Sequence, residues 1–200
     1  AIGGDYNLKT KLEEYISKNT IEYKKENLSE EIFTFLTSEE IKIKERIEKI
    51  GKPLKDWDIS IYRGILTGYN KAFIIDGKTK EELIKKDPKN AEIIKPLLRG
   101  KDIKRYKYKF ADQWLINSHN GYKDVSRIKI EKDYPTIKQW LDKFYDNVYS
   151  RSDQGDTPYN LRNCAYIEEF EKEKVSWQRI TAKPIFSKVE KNIYILDSMA

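Results

Sequence analysis

The stretch Tyr134-Pro-Thr-Ile-Lys-Gln-Trp-Leu-Asp-Lys-Phe-Tyr145 has the spacing of an amphipathic helix. Four apolar side chains recur on one face of that helix: Ile137, Trp140, Leu141 and Phe144. Pro135 stands near the first turn, where the backbone N–H that proline lacks has no helical partner. Upstream, Trp114-Leu-Ile-Asn117 is a short apolar run typical of a buried strand. We therefore predict a domain that combines helices with a sheet.

Further apolar runs on both sides of this stretch are typical of strands. Near the end of the chain the predicted strands are Val175–Ile180, Pro184–Val189 and Ile193–Leu196. Nearer the start, a strand over 59–66, a turn at Thr67-Gly-Tyr-Asn70 and a return strand at Ala72–Ile75 predict a hairpin. The fold class that follows is α+β, with a mixed, mainly antiparallel sheet and flanking helices.

Capping patterns predict where other helices begin and end. Thr37-Ser-Glu-Glu40 is a capping box, and the helix that it opens should stop at Gly51. Thr79-Lys-Glu-Glu82 is a second such pattern, and its helix should end at Asp87-Pro88. A further turn or two of helix is predicted at Ala91–Lys95.

The composition excludes several classes of protein. The 200 residues include one His and one Cys, so neither an internal disulfide nor a structural zinc site of four Cys or His ligands can form. A triad built on His would have to use His119. No apolar run approaches the roughly 18 residues of a membrane span, and no secretory signal opens the chain. We expect a cytoplasmic protein with no membrane partner.

The positive charge is concentrated in the later part of the chain. The net charge of +6 divides into −2 for residues 1–50 and +8 for the rest. The densest cluster is Arg99–Phe110, where six basic residues stand against one Asp with aromatic residues between them. Clustered Lys and Arg favour a polyanion, because binding releases counterions from nucleic acid. A solvated basic strand is the alternative interpretation.

Two short strings resemble catalytic motifs without completing them. Asp76-Gly-Lys-Thr79 looks like the end of a phosphate-binding loop, but Ala72 stands where that loop needs its first Gly. Asp102-Ile-Lys104 looks like the end of a Mg²⁺-dependent nuclease centre, and no Pro-Asp lies suitably upstream. A structural pair between Asp102 and a nearby Arg is the alternative. We expect no catalytic, cofactor-binding or metal site in this chain.

A set of longer strings, in a fixed order, resembles one protein family. They are Arg63-Gly-Ile-Leu-Thr-Gly-Tyr-Asn-Lys-Ala-Phe-Ile-Ile-Asp76, Ile93-Ile-Lys-Pro-Leu-Leu-Arg-Gly-Lys-Asp-Ile-Lys-Arg-Tyr106, Trp114-Leu-Ile-Asn-Ser-His-Asn-Gly121, Tyr134-Pro135, Thr157-Pro-Tyr-Asn-Leu-Arg-Asn-Cys-Ala-Tyr166 and Glu173-Lys-Val-Ser-Trp-Gln-Arg-Ile180. Together they resemble the TaqI-like C-terminal specificity domain of type IIG restriction–modification enzymes and adenine-specific DNA methyltransferases.

This resemblance implies a role in sequence-specific recognition of double-stranded DNA. Residues 57–200 would be the N-terminal part of a truncated target-recognition domain, and residues 1–56 a connector, ending in a helix, from a missing methyltransferase region. The parent enzyme would use S-adenosylmethionine to methylate adenine, and Mg²⁺ if it also cleaves DNA. The absent catalytic region would be a partner within the same polypeptide.

The polar residues in these strings are the candidate contacts with DNA. Cationic groups suit phosphate positioning, and Asn or Arg can also read base edges. The predicted DNA-binding residues are Arg63, Thr67, Tyr69, Asn70, Lys71, Arg99, Lys101, Lys104, Arg105, Asn117, His119, Asn120, Arg162 and Arg179.

Structural roles compete with DNA contact at several of these positions. Gly68 could supply a positive φ while Asn70 closes the turn, and Asn120-Gly121 could form another turn. Arg162 could lock its loop onto the core instead of touching DNA. For the chain as a whole, the alternative function is an interdomain scaffold that packs on the catalytic region without reading DNA.

Overall fold

The computed structural model describes residues 11–20 and 36–200. The chain divides into two compact units, residues 1–59 and 60–200. The predicted connector falls in the first of these units, and its residues 1–10 and 21–35 lie outside the described part. That residues 1–56 lead in from a methyltransferase region stays a prediction. No helix within the described ranges is both long enough and apolar enough to cross a membrane.

The first unit contains two described helices, α1 (Leu12–Asn19) and α2 (Ser38–Ile50). The predicted capping box of α2 is confirmed. The Thr37 hydroxyl accepts a hydrogen bond from the Glu40 N–H, and the Glu40 carboxylate accepts one from the Thr37 N–H at 2.7 Å. The helix ends before Gly51, as predicted, and a short 3₁₀ turn follows at Leu54–Asp56.

A four-stranded mixed sheet forms the centre of the second unit. Its strands are β1 (Ile74–Asp76), β5 (Gln113–Ile116), β2 (Ile94–Leu98) and β8 (Tyr194–Ile195), in that spatial order. The β1–β5 and β5–β2 pairs are antiparallel, whereas β2 and β8 are parallel. Two further antiparallel ribbons pair β3 (Ile103–Lys104) with β4 (Lys107–Tyr108), and β6 (Lys174–Trp177) with β7 (Phe186–Val189).

Helices flank this sheet. They are α3 (Asn70–Phe73), α4 (Gly77–Lys86), α5 (Ile130–Asp133), α6 (Pro135–Asp142) and α7 (Tyr145–Ser150). Short 3₁₀ turns cover Pro88–Glu92, Gly100–Asp102 and Ile167–Glu171. Ile137 and Leu141 of α6 are fully buried, as their spacing predicted. The predicted α+β class, with a mixed and mainly antiparallel sheet, is confirmed.

The predicted hairpin over 59–75 is wrong. Ile65 forms only an isolated parallel bridge with Leu196, and Asn70–Phe73 is a single helical turn. The remaining strand, Ile74–Asp76, pairs with β5 instead of with the segment before it. An apolar run indicates burial without deciding between strand and helix, and a helical turn buries Ala72 and Phe73 completely here.

Two local predictions also need correction. The N-cap of α4 is Asp76, whose carboxylate accepts the Thr79 N–H at 2.8 Å, so the cap lies three residues before the predicted cap at Thr79. The predicted helix at Ala91–Lys95 is instead a 3₁₀ turn followed by β2. Pro96 is tolerated in this strand at the point where the pairing of β2 changes from β5 to β8.

Candidate nucleic-acid interface

A basic cleft lies where β2 and β8 end side by side. Leu97 pairs with Tyr194 and Leu98 with Ile195, so the segments that leave both strands emerge together. These segments and the end of β6 enclose a cleft of about 620 Å³. Its lining is Arg63, Arg99, Gly100, Lys101, Gln178, Arg179, Ile180, Asp197 and Ser198.

Hydrogen bonds to the backbone hold the walls of this cleft together. The Gly100 N–H donates to the Ser198 hydroxyl at 3.2 Å, and the Gln178 side-chain amide donates to the Gly100 carbonyl. The Gly64 N–H donates to the Met199 carbonyl at 3.1 Å. A Cβ on Gly64 would stand 2.3 Å from the Leu196 carbonyl oxygen, so only glycine allows this approach. Four distant parts of the sequence are thereby joined in one surface.

The charge of the cleft is mainly positive. Arg63 donates to the Asp197 carboxylate at 3.2 Å, and both side chains remain partly exposed. Arg179 donates to the Asp197 backbone carbonyl at 3.0 Å, which leaves its charge without a partner carboxylate in the described chain. Lys101 is exposed, and in residues 11–20 and 36–200 it forms no ion pair. Among the cations of the cleft, Lys101 and Arg179 are therefore the ones whose charge is not already paired with a carboxylate in the described residues.

Arg99 differs from the other cations of the cleft because its guanidinium is held by hydrogen bonds within the domain. It makes two bonds to the Asp102 carboxylate, at 3.1 and 3.2 Å, and one to the Gln113 side chain at 3.2 Å. Asp102 is only 5% exposed, and its carboxylate also accepts the Arg99 N–H. The alternative interpretation of Asp102, a structural pair with an Arg, is confirmed. No cluster of three or more potential metal ligands occurs in the described residues.

Two other predicted cations lie on the β3–β4 ribbon. Lys104 is exposed and donates to the Lys101 carbonyl at 3.0 Å. Arg105 is exposed in the turn between the strands, with its guanidinium carbon 5.3 Å from the centroid of the Tyr106 ring. Tyr106 has a positive φ of 62° and donates its N–H to the Phe186 carbonyl, which holds the ribbon against β7. The ribbon therefore presents cations to solvent on a supported backbone.

The predicted contacts from 67 to 71 surround a tight turn. Gly68 has a φ of 67°, which confirms its proposed structural role. Thr67 is 2% exposed, and its hydroxyl donates to the Asn70 side-chain oxygen at 2.5 Å. Tyr69 is half-buried against the core, whereas Asn70 and Lys71 are exposed at the start of α3. Of this group, Asn70 and Lys71 are the residues that a ligand can reach directly.

The polar loop after β5 is largely occupied by internal contacts. Asn117 is buried and donates to the Tyr194 hydroxyl at 3.4 Å, and the His119 Nδ1 accepts the Gly121 N–H. Burial lowers the pKa of His119, against a smaller opposing effect of Glu171. The Asn120 amide bonds to both the Asp156 carboxylate and the Asp156 N–H, so it ties this loop to the loop at 154–163.

A second cavity, of about 340 Å³, shares Arg63 with the basic cleft and also contains Arg162. Arg162 is exposed and paired with Asp153 at 3.1 Å. Cys164 lines the same cavity, and burial raises the pKa of its thiol. The structure thus brings Arg63, Arg99, Lys101 and Arg179 together in one cleft, and Arg63 with Arg162 in the other. The other nine predicted residues line neither cavity.

Sequence reasoning missed two residues that matter for these surfaces. Arg151 is buried beneath the turn at 67–70 and beside the loop at 153–160, and it hydrogen-bonds to backbone carbonyls of both. No spacing or motif distinguishes it from an exposed arginine. Ile180 is 95% exposed in the wall of the basic cleft. It ends the last string of the family resemblance, but an isoleucine carries no chemical signal of binding.

Comparison with known proteins shows a similarity of fold but no match in sequence. No protein-family model matches the sequence, and no curated protein matches it. Among solved structures, the chain is similar to part of the type IIL restriction–modification enzyme MmeI, which was determined in complex with DNA. The TM-score is 0.50 at 12% sequence identity, over 68% of this chain and 18% of that chain. The likeness therefore concerns less than a fifth of the enzyme's length.

Proposed function

We propose that the chain is a double-stranded DNA recognition module of a restriction–modification enzyme. In this proposal residues 57–200 are the N-terminal part of a TaqI-like specificity domain, and the methyltransferase region is a partner within the same polypeptide. The parent would be a type IIG enzyme or an adenine-specific methyltransferase that uses S-adenosylmethionine, and Mg²⁺ if it cleaves DNA. The chain itself would carry no catalytic group.

The observation that supports this proposal best is the convergence of predicted cations in the basic cleft. Arg63, Lys101 and Arg179 come from separate parts of the sequence and face one opening. A polyanion backbone offers negative charges at regular intervals, so several cations on one surface can each neutralise a phosphate. The likeness of the fold to part of an enzyme that was solved with DNA is consistent with this role.

The test is the salt dependence of DNA binding by the full 200-residue chain. Fluorescence anisotropy with a labelled duplex of about 24 base pairs should show affinity falling steeply as salt rises. The double substitution Lys101→Ala and Arg179→Ala should weaken binding to any sequence and reduce the slope of log K against log salt by about 2. Lys104→Ala with Arg105→Ala should act in the same direction through the β3–β4 ribbon.

A matched control removes the same amount of charge elsewhere. Lys85 and Lys86 are exposed on α4, the helix that follows β1, and β1 is at the sheet edge away from β8. Lys85→Ala with Lys86→Ala should leave the salt slope within experimental error of the unsubstituted chain. An equal loss in the control would mean that net charge alone drives binding. Binding that is tight but independent of salt would contradict the proposal.

An interdomain scaffold is the second candidate function, and the outer face of the β6–β7 ribbon favours it. Val175 and Phe186 are exposed there, and the Phe186 ring lies 5.8 Å from that of half-buried Trp177. Exposed apolar side chains that adjoin each other are typical of surfaces that contact another protein region. Self-association of the chain in light scattering, with no DNA binding even at low salt, would favour the scaffold.

A further inference from the structure

Ile180 is the most exposed of the large apolar residues in the described part of the chain. It is 95% exposed, whereas the other large apolar residues that are exposed in the described part of the chain reach at most 75%. Burying an isoleucine side chain contributes about 1.5–3 kcal/mol. By contrast, Trp177 at the end of β6 and Ile185 just before β7 are both partly buried.

The backbone holds Ile180 at a defined place. Strand β6 continues past Trp177 by pairing with the segment after β8, since Trp177 and Ala200 exchange backbone hydrogen bonds of 2.9 and 3.1 Å. The Arg179 N–H then donates to the Ser198 carbonyl at 3.0 Å. Ile180 is the next residue, in the bend that follows, so the segment that carries it is anchored through Arg179.

Charge on both sides of Ile180 points to the nature of its ligand. Arg179 precedes it, Lys183 is exposed in the same loop, and Lys101 lines the cleft beside it. Lys183 donates its backbone N–H to the Thr181 hydroxyl, which also bonds to the Lys183 carbonyl, so the loop is internally braced. An exposed apolar residue with cations near it matches a surface with phosphates at its edges and apolar groups within, which is a DNA groove.

The kind of element is also suitable, because Ile180 lies in the loop 178–185 that joins the two strands of the β6–β7 ribbon. A two-stranded β-ribbon can enter the major groove, which is about 12 Å wide, and thymine presents its methyl group there. Apolar side chains read that methyl by direct contact.

We infer that Ile180, in the loop that joins β6 and β7, is a specificity-determining residue that contacts a thymine methyl group in the major groove. The inference rests on the proposed function, because it requires that DNA occupies the basic cleft. Arg179 and Lys101 then position the duplex through its phosphates, and Ile180 distinguishes one base pair. Arg179 and Lys101 would therefore contribute salt-dependent affinity, whereas Ile180 would contribute a sequence preference that does not depend on salt.

The test is a selection from duplexes with about 20 randomised base pairs, using the full chain. The unsubstituted protein should enrich sequences with thymine at one or more positions. Ile180→Ala should lose enrichment at one of those positions while keeping the salt slope of the unsubstituted chain. In the best selected duplex, uracil in place of that thymine removes one methyl group and should weaken binding about fourfold for the unsubstituted chain and hardly at all for Ile180→Ala.

Val175→Ala is the matched control, because Val175 is a 60% exposed β-branched residue of the same ribbon that does not line the cleft. It should select the same sequences as the unsubstituted chain. Unchanged enrichment by Ile180→Ala would overturn the role of Ile180 and leave the proposed function standing. Salt-dependent binding of the unsubstituted chain with no enrichment would overturn both the role of Ile180 and the sequence-specific part of the proposed function. Absence of any DNA binding at low salt would overturn the proposed function itself.

Discussion

Replacing Arg151 with Met should strongly destabilise the second unit. The Arg151 guanidinium is buried and lies over the Phe73 ring, 4.4 Å from the centroid. All three of its nitrogens donate to backbone carbonyls, which belong to Val148, Thr67, Asp153, Pro158 and Asn160. Burial lowers the pKa of Arg151 to about 10, with Asp153 opposing the shift, so the group stays charged at neutral pH.

The expected magnitude follows from the carbonyls that Met cannot satisfy. The bonds to Val148, Thr67 and Asn160 are buried, while those to Asp153 and Pro158 lie where water can replace the donor. Each buried carbonyl that loses its hydrogen-bond donor costs about 1–3 kcal/mol. Part of that sum is offset because the Met variant no longer has to bury a charged group. We expect Arg151→Met to lower the free energy of unfolding by about 3–5 kcal/mol.

Urea unfolding followed by tryptophan fluorescence measures this loss. Arg151→Lys keeps the charge but has three donors on one atom, so it should recover only part of the stability. Arg162→Met is the control, because Arg162 is exposed and its ion pair with Asp153 should contribute less than about 1 kcal/mol. A loss below about 1 kcal/mol for Arg151→Met, or equal losses for both Met variants, would refute the reasoning from stranded carbonyls.

Three further predictions concern single groups. Thr37→Ala should remove about 1 kcal/mol of local stability from α2, seen as faster amide exchange in its first turns, while unchanged exchange would contradict the cap. His119 is the one histidine of the chain, and because its pKa is lowered in the folded state, the free energy of unfolding should fall as pH drops below about 6.5. NMR should show the imidazole titrating below that pH. His119→Gln should remove the part of the acid-induced loss of stability that comes from this group. The pKa of Tyr134 is raised to about 12 by burial and by its bond to Glu92, so the stability that it contributes is present below about pH 10 and is lost as pH rises toward 12. Tyr134→Phe should show a smaller loss over that range in unfolding measurements, and an equal loss would contradict the assignment.

Local signals in the sequence predicted many elements of the fold. The capping box at Thr37, the Pro135 start of α6 and the existence of β5 to β8 all depend on residues that are close in the chain. The error at 59–75 shows the limit of such signals. Alternating and clustered apolar residues report burial, and Phe73 is buried in a helical turn as completely as it would be in a strand. In the structure Ile74–Asp76 pairs with β5 and Ile65 bonds to β8, and these long-range pairings have no local signal in the sequence.

The sequence by itself determined the α+β class, the boundaries of α2 and the surplus of positive charge after residue 50. The tertiary structure decided which cations act together. Arg63, Lys101 and Arg179 meet because β2 and β8 pair in parallel and because Gly64 allows the chain to pass close to the end of β8. Arg99 lies beside them, yet its charge is directed inward to Asp102. A cap or an amphipathic face depends on neighbours within a few residues, whereas a cleft built from four separate segments depends on pairing energies summed over the whole sheet.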